Sequence, residues 1–220
     1  MMTKVLFVLT STDEFKDGTP TGLWLEEAAA VYHVLDDAGI EVELSSIKGG
    51  STPVDPNSVA NNELEKYEGF SKLLQQLKSI DEVNSSDYDA VYFPGGHGTV
   101  FDYANNEKVS ALVQAFIKED KWVSAVCHGP SAFVGAKDDN GEYLVKDIKI
   151  TGFTDSEEKA MKLDDKVPFL LETELRKQGA EFESKDDFSE HVIESKPFIT
   201  GQNPQSSEGV GVALKNALKG

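Results

Sequence analysis

The chain holds a single cysteine, and its neighbours suit a nucleophile better than a packing side chain. In Trp122-Val-Ser-Ala-Val-Cys127-His128-Gly129-Pro130 an apolar strand runs straight into a turn. Such an elbow lifts the side chain at its apex above the sheet and holds its backbone in a strained conformation. Ala125 and Gly129 flank Cys127 where a sharp turn leaves little room, and Pro130 fits the first turn of a following helix. A helix beginning there would stabilise a thiolate and lower the thiol pKa. His128 is the adjacent candidate base or proton carrier. A lone cysteine at a strand end is more often a small buried hydrophobe. The Cys-His-Gly-Pro string at an elbow reverses that balance.

Two other groups have the right chemistry to join it. Pro94-Gly95-Gly96-His97-Gly98 follows another apolar strand. Its glycines let backbone approach a substrate closely, and the N–H of Gly96 paired with that of His128 is a candidate oxyanion hole. A plain glycine turn is the competing reading, and His97 reads equally as a ligand, a base or a structural loop histidine. Glu26 and Glu27 lie on the first helical segment. At helical spacing Glu27 shares the apolar stripe of Leu23, Trp24, Ala30, Val31 and Val34, whereas Glu26 faces Gly22, Ala29 and His33. A glutamate on a buried face is costly unless protonated or partnered. Desolvation favours its neutral form, which can donate a hydrogen bond to the Cys127 sulfur and act as general acid and base. A glutamate at the rim of the core is the plain alternative.

The elements that must position these groups alternate between strand and helix. Apolar runs at Lys4 to Thr10, Ile40 to Leu44, Asp89 to Phe93 and Trp122 to Val126 read as strands. Helical spacing is seen over Thr21 to Ala38, Val109 to Ile117, from about Ser156, over Val167 to Gln178, and after Asn203-Pro204. Tyr143 to Val145 and Ile148 to Thr151 suggest a hairpin; strand-like pieces occur at Phe182, His191 to Ile193 and Phe198 to Thr200. The expected fold is therefore α/β: a mostly parallel central sheet with helices on both faces, a flavodoxin-like sandwich carrying the cysteine elbow. Sites in such sheets lie beyond the carboxyl ends of the strands, where the Gly96 loop and Cys127 both fall. Residues 1–220 read as a single domain with a turn-rich, polar surface insertion at about 48–85 that ends in a short helix near Ser71 to Ile80.

Composition narrows the partners. A net charge of −18, spread along the chain, repels phosphate backbones and anionic lipid and argues against nucleic-acid or membrane partners. No apolar run approaches the ~20 residues needed to span a bilayer, and the N-terminal run is too short for a signal-peptide core. One cysteine rules out an internal disulfide and any multi-cysteine metal site, and a reducing cytoplasm is the natural compartment.

The strings Thr21-Gly-Leu-Trp-Leu-Glu-Glu27, Phe93-Pro-Gly-Gly-His-Gly-Thr-Val-Phe-Asp102, Ala125-Val-Cys-His-Gly-Pro130, Ile150-Thr-Gly-Phe-Thr-Asp155 and Thr200-Gly-Gln-Asn-Pro204 together resemble the ThiJ/PfpI superfamily, of the class I glutamine amidotransferase-like fold. The resemblance covers nearly the whole chain and is closest to the branch of stress-induced chaperones and glutathione-independent glyoxalases (glyoxalase III). It implies Cys127 as nucleophile, His128 beside it, Glu27 as the helix glutamate and Gly96 as a backbone donor. It also implies an acid that orients the histidine soon after the ITGFTD string, at Glu158 by spacing, with Glu157 as rival. The implied activity is that of a cofactor-free lyase of the D-lactate dehydratase class, which turns a small 2-oxoaldehyde, methylglyoxal, into lactate through a Cys127 hemithioacetal. The branch is also credited with chaperone and deglycase-type stress protection, and family habit suggests a homodimer. His191 in His-Val-Ile-Glu194 lacks the spacing of a glutaminase, and four histidines without a cap-sized insertion imply no metal. A cysteine peptidase or amidase, and a non-catalytic holdase chaperone or redox sensor, are the alternatives.

Overall fold

Val5–Leu9 and Ala90–Phe93 are apolar at every position, which suits strands covered on both faces. The computed structural model describes residues 2–220 and pairs these two runs side by side in the middle of a sheet. In chain order the elements are β1 (Lys4–Leu9), α1 (Leu25–Asp37), β2 (Glu41–Ser46), α2 (Glu63–Lys66), α3 (Glu68–Ser71), β3 (Lys78–Ser79), β4 (Ala90–Phe93), α4 (Thr99–Asp102), α5 (Glu107–Lys118) and β5 (Trp122–Val126). Beyond the cysteine follow β6 (Lys149–Ile150), α6 (Asp155–Ala160), α7 (Leu171–Lys177), β7 (Glu181–Phe182), β8 (Val192–Ser195), β9 (Phe198–Gly201) and α8 (Ser207–Lys219). The seven-stranded sheet runs β3-β2-β1-β4-β5-β9-β8, parallel throughout except for the edge strand β8. The α/β architecture expected from the sequence is the one observed. Helix α1 packs with α8, while α5 crosses between β4 and β5. Right-handed crossovers that run in opposite directions along the sheet, β1 to β2 and β4 to β5, place α1 and α5 on opposite faces. The chain turns outward to either side of β1, so β1 and β4 flank the switch point at their carboxyl ends.

Several elements differ from the sequence reading. Helix α1 starts at Leu25, not Thr21, because Leu23 is drawn into an isolated bridge with Val54 and Trp24 stays extended. The helix expected near Ser71 to Ile80 is replaced by a 3-10 turn, Lys72–Leu74, and the edge strand β3, with Gln76 in a left-handed conformation between them. Residues 48–85 thus add a strand to the common sheet and place Tyr67, Phe70 and Leu74 in the core. The expected hairpin does not form. Tyr143 bridges Lys137, and Ile148 leads into β6, which pairs in parallel with β7. After Cys127 the chain makes a five-residue 3-10 turn, Gly129–Phe133, in place of the expected helix. Its closing bonds, Ser131 N–H to His128 O and Val134 N–H to Ser131 O, span three residues and leave no aligned stack of peptide dipoles.

That turn lies hard against β4. A β-carbon on Gly129 would drive into the Phe93 carbonyl oxygen, far inside contact distance. The partner is main chain inside a strand and cannot swing aside. Gly129→Ala should therefore lower the unfolding free energy by about 1–3 kcal/mol, the usual range for overpacking. Urea denaturation reads this directly, and an unshifted midpoint would contradict so close an approach.

Candidate active site

Cys127 sits at the end of β5 with φ at 58°, a left-handed backbone that costs a non-glycine residue about 1–2 kcal/mol. Two main-chain bonds hold it there: its N–H donates to Gly201 O at 2.9 Å and its carbonyl accepts from Phe153 N–H at 2.8 Å. The strain turns the thiol toward a cavity of about 290 Å³ above the strand ends. Trp24, Phe153, Met161 and Phe188 form much of its wall, with Glu26, Gln205, His97 and His128 as the polar contributors.

His128 Nδ1 stands 3.5 Å from the Cys127 sulfur, and its Nε2 lies 2.6 Å from Glu158 Oε2. Glu158 is carried by α6, whose start explains how two adjacent glutamates divide their work. Thr154 caps the helix in a reciprocal box with Glu157: Thr154 Oγ1 accepts from Glu157 N–H at 3.1 Å, and Glu157 Oε2 accepts from Thr154 N–H at 3.0 Å. Glu157 Oε1 also accepts from Phe188 N–H, Gln202 Nε2 and Asn203 Nδ2. Glu157 is therefore the clamp on the Phe188 loop, and Glu158 is the residue that meets the imidazole. The Thr-x-x-Glu pattern at Thr154 to Glu157 was the sequence signal that could have separated them.

Glu27 is fully buried beneath the thiol. Its Oε2 accepts from Gly95 N–H at 2.6 Å, while Oε1 is sealed from solvent without a hydrogen-bond partner. Burial raises its pKa well above the ordinary carboxylate range, against the opposing pull of Cys127 and the Gly95 N–H, so the carboxyl is neutral. Burial, and then Glu27, likewise push the Cys127 thiol up. This corrects the thiolate expected from a helix N-terminus: no helix follows, and the resting sulfur keeps its proton. His128 is held low, by burial first and by the neighbouring His97 second, so its ring is neutral. Burial alone would raise Glu158, yet His128 and His97 together hold it below the carboxylate range and it is ionised.

The remaining residues singled out from sequence separate clearly. Gly96 has φ at 99°, and neither its N–H nor that of His128 donates to another protein group among the described residues, which leaves both free for a developing oxyanion. Thr99 Oγ1 reaches the carbonyls of Gly96 and His128 at 2.8 and 3.1 Å, tying the two loops together. His97 comes into the site, with Nε2 2.5 Å from Glu158 Oε1. His191 does not; it begins the approach to β8, its N–H donating to Ser206 Oγ. His97, His128 and Glu158 bring donor atoms within 4.8 Å of one another, the count for a cation site. Their N···O separations of 2.5 and 2.6 Å are those of charge-assisted hydrogen bonds. Ligands that each stand about 2.0–2.2 Å from one ion would be spread farther apart. The apolar wall formed by Phe153, Met161 and Phe188 had no signal in the sequence that marked it as one surface.

Comparison with known proteins places this arrangement among relatives. The model of the DJ-1/PfpI family matches residues 4–215. The chain is 32% identical to Glyoxalase 3 of Candida albicans over 94% of each chain. The crystal structure of glyoxalase III from that organism superposes with a TM-score of 0.85 at 31% identity, covering 98% of this chain and 97% of that one. A glutathione-independent glyoxalase of Saccharomyces cerevisiae is 32% identical over 98% of each chain. The Rapid Encystment Protein 24 KDa of Francisella tularensis superposes with a TM-score of 0.95 at 37% identity, covering 99% of both chains. No helix among the described residues is long and apolar enough to cross a membrane.

The two carboxyls should respond to pH in opposite senses. A group whose pKa is raised by folding binds an extra proton in the native state, so the stability it gives is present below the unfolded pKa and is lost as pH rises. Glu27→Gln should therefore be more stable than wild type at pH 7, with the difference closing near pH 4. Glu158 has the lowered pKa and contributes above the unfolded value, so Glu158→Gln should cost about 1.5–3 kcal/mol at pH 7, the worth of charged hydrogen bonds, and less as pH falls. Thermal melts of both variants at the two pH values check the signs, and an E27Q protein less stable than wild type at pH 7 would show that Glu27 is ionised.

Proposed function

The chain belongs to the DJ-1/PfpI family, and we propose that it acts as a glutathione-independent glyoxalase, converting methylglyoxal to lactate without a cofactor. The observation that carries this reading is the Cys127 thiol at the foot of a cavity of about 290 Å³, with a neutral imidazole at 3.5 Å. That volume lies at the low end of the roughly 300–1,000 Å³ usual for ligand pockets, a size for a three-carbon aldehyde and not for a peptide laid through a groove.

In the proposed reaction the sulfur adds to the aldehyde carbon C1 and its proton ends on the aldehyde oxygen O1, giving a hemithioacetal. The N–H groups of Gly96 and His128 steady the charge on oxygen during addition. Glu27, neutral beneath the sulfur, hands a proton to it as the C–S bond breaks and recovers one from the water that hydrolyses the thioester. His128 Nδ1 lifts the proton from C1 and returns it to C2, and the transient imidazolium is held by the Glu158 carboxylate. The product of that shift is the lactoyl thioester, which water hydrolyses to lactate and free thiol. Glu157 holds the Phe188 side of the wall and takes no part in proton transfer. The same reading includes a reducing, cytoplasmic setting, because a single thiol must stay free. It excludes nucleic acid as a partner on the strength of the net charge of −18. A homodimer is proposed on family habit, and light scattering on the purified protein tests it.

The deciding assay follows lactate by proton NMR after mixing protein with methylglyoxal in glutathione-free, chelator-treated buffer. Wild type should form lactate. Cys127→Ser should form none, and Glu27→Gln should be slower by about 10²-fold or more, as befits loss of a general acid–base group. Reduced, folded wild type that forms no lactate would sink the glyoxalase reading.

A further inference from the structure

His97 is buried, lines the cavity above Cys127, and takes no part in the steps above. Its ring lies 4.1 Å from that of His128, centroid to centroid. One carboxylate serves both rings: Glu158 Oε1 faces His97 Nε2 at 2.5 Å, and Oε2 faces His128 Nε2 at 2.6 Å. An ionised carboxylate can only accept, so each ring carries a proton on Nε2, and a ring with a single proton then leaves Nδ1 bare. The Nδ1 of His128 is turned to the thiol. The Nδ1 of His97 makes no hydrogen bond within the protein and, unlike Glu27 Oε1, is not among the polar atoms sealed from solvent. The site thus turns two imidazole Nδ1 atoms away from one shared carboxylate, neither of them spent on a backbone partner.

A hemithioacetal that becomes a thioester has two protons to move. One leaves C1 for C2. The other leaves the O1 hydroxyl, which becomes the thioester carbonyl, and arrives on O2, which becomes the lactoyl hydroxyl. A single base facing the carbon chain cannot hold both at once, and Glu27 Oε1 is sealed away from the cavity. We propose that His97 is a catalytic residue that carries the oxygen proton: its Nδ1 accepts the O1 proton and delivers it to O2 while His128 serves the carbons. The inference rests on the glyoxalase reading. The step balances, since His97 gives up to O2 the proton it takes from O1 and no electron leaves the substrate. Glu158 sets one oxygen against each ring, so a single counter-ion serves both transfers.

His97→Gln separates this role from mere support of Glu158, because its side-chain amide keeps a donor where Nε2 was and offers no basic nitrogen. The expected result is a kcat for lactate lower by about 10²-fold or more. Capture of the aldehyde by Cys127, read by mass spectrometry and by the rate of iodoacetamide alkylation, should stay within about three-fold of wild type. With four histidines in the chain, long-range proton–nitrogen spectra of histidine-labelled protein also resolve the tautomers directly. His97 and His128 should both be Nε2–H forms in wild type, and His128 should remain so in H97Q. Near-normal kcat in H97Q overturns the proposal and makes His97 a prop for Glu158. An Nδ1–H tautomer at His97 in wild type overturns it without any variant. Wild type that forms no lactate removes the glyoxalase reading and this step with it, an outcome distinct from an active enzyme indifferent to His97.

Discussion

The carbonyl of Phe93 at the end of β4 lies so close to Gly129 that no side chain fits between them, and the site is built on that contact. The same crowding continues one turn away. A β-carbon on Gly95 would stand 2.6 Å from Glu27 Oε2 and 2.7 Å from the His128 nitrogen. The Thr99 hydroxyl then bridges the carbonyls of Gly96 and His128. Two loops from adjacent parallel strands are in this way fastened main chain to main chain. Their N–H groups, the thiol and the imidazole have little freedom left to lose when a substrate arrives, which is where preorganised sites gain their rate.

On this frame two buried carboxyls take opposite charge states for reasons that are local. Glu27 is offered one N–H and a thiol in an otherwise sealed space, too little to repay desolvation, and it keeps its proton. Glu158 is offered two imidazole N–H groups, one on each oxygen, and it ionises. The neutral acid lies under the sulfur and the anion lies behind the rings. In the proposed reaction this sets the proton donor and the counter-ion for a transient imidazolium on different sides of the reacting carbon. Environments that push paired titratable groups apart are a general means of running acid and base chemistry at one pH.

The wall of the cavity depends on a third carboxylate, which meets neither imidazole. Glu157 gathers donors from Thr154, Phe188, Gln202 and Asn203, joining the start of α6 to the loop before β8 and the turn after β9. Segments far apart in the chain therefore meet over Cys127 by way of one side chain. Phe188, itself in a left-handed conformation, reaches the cavity because its N–H is held there.

Cys127, His128 and Glu27 were legible in the sequence because each is marked by local pattern: a strand that ends in Cys-His-Gly-Pro, and a carboxyl on the apolar stripe of a helix. The alternation of strands and helices likewise determined the α/β class, since buried parallel strands must be apolar throughout and their crossovers must be helical. What followed Cys127 was not legible, because a Gly-Pro start permits both a helix and a 3-10 turn, and packing against Phe93 chose the turn. With the helix went the argument for a resting thiolate. The place of Glu158 came from resemblance, although the capping box at Thr154 would have assigned Glu157 to the helix start. The union of His97 and His128 on one carboxylate belongs to tertiary structure alone. Those three residues come from different loops and a helix, and no periodicity in a chain records which oxygen faces which ring.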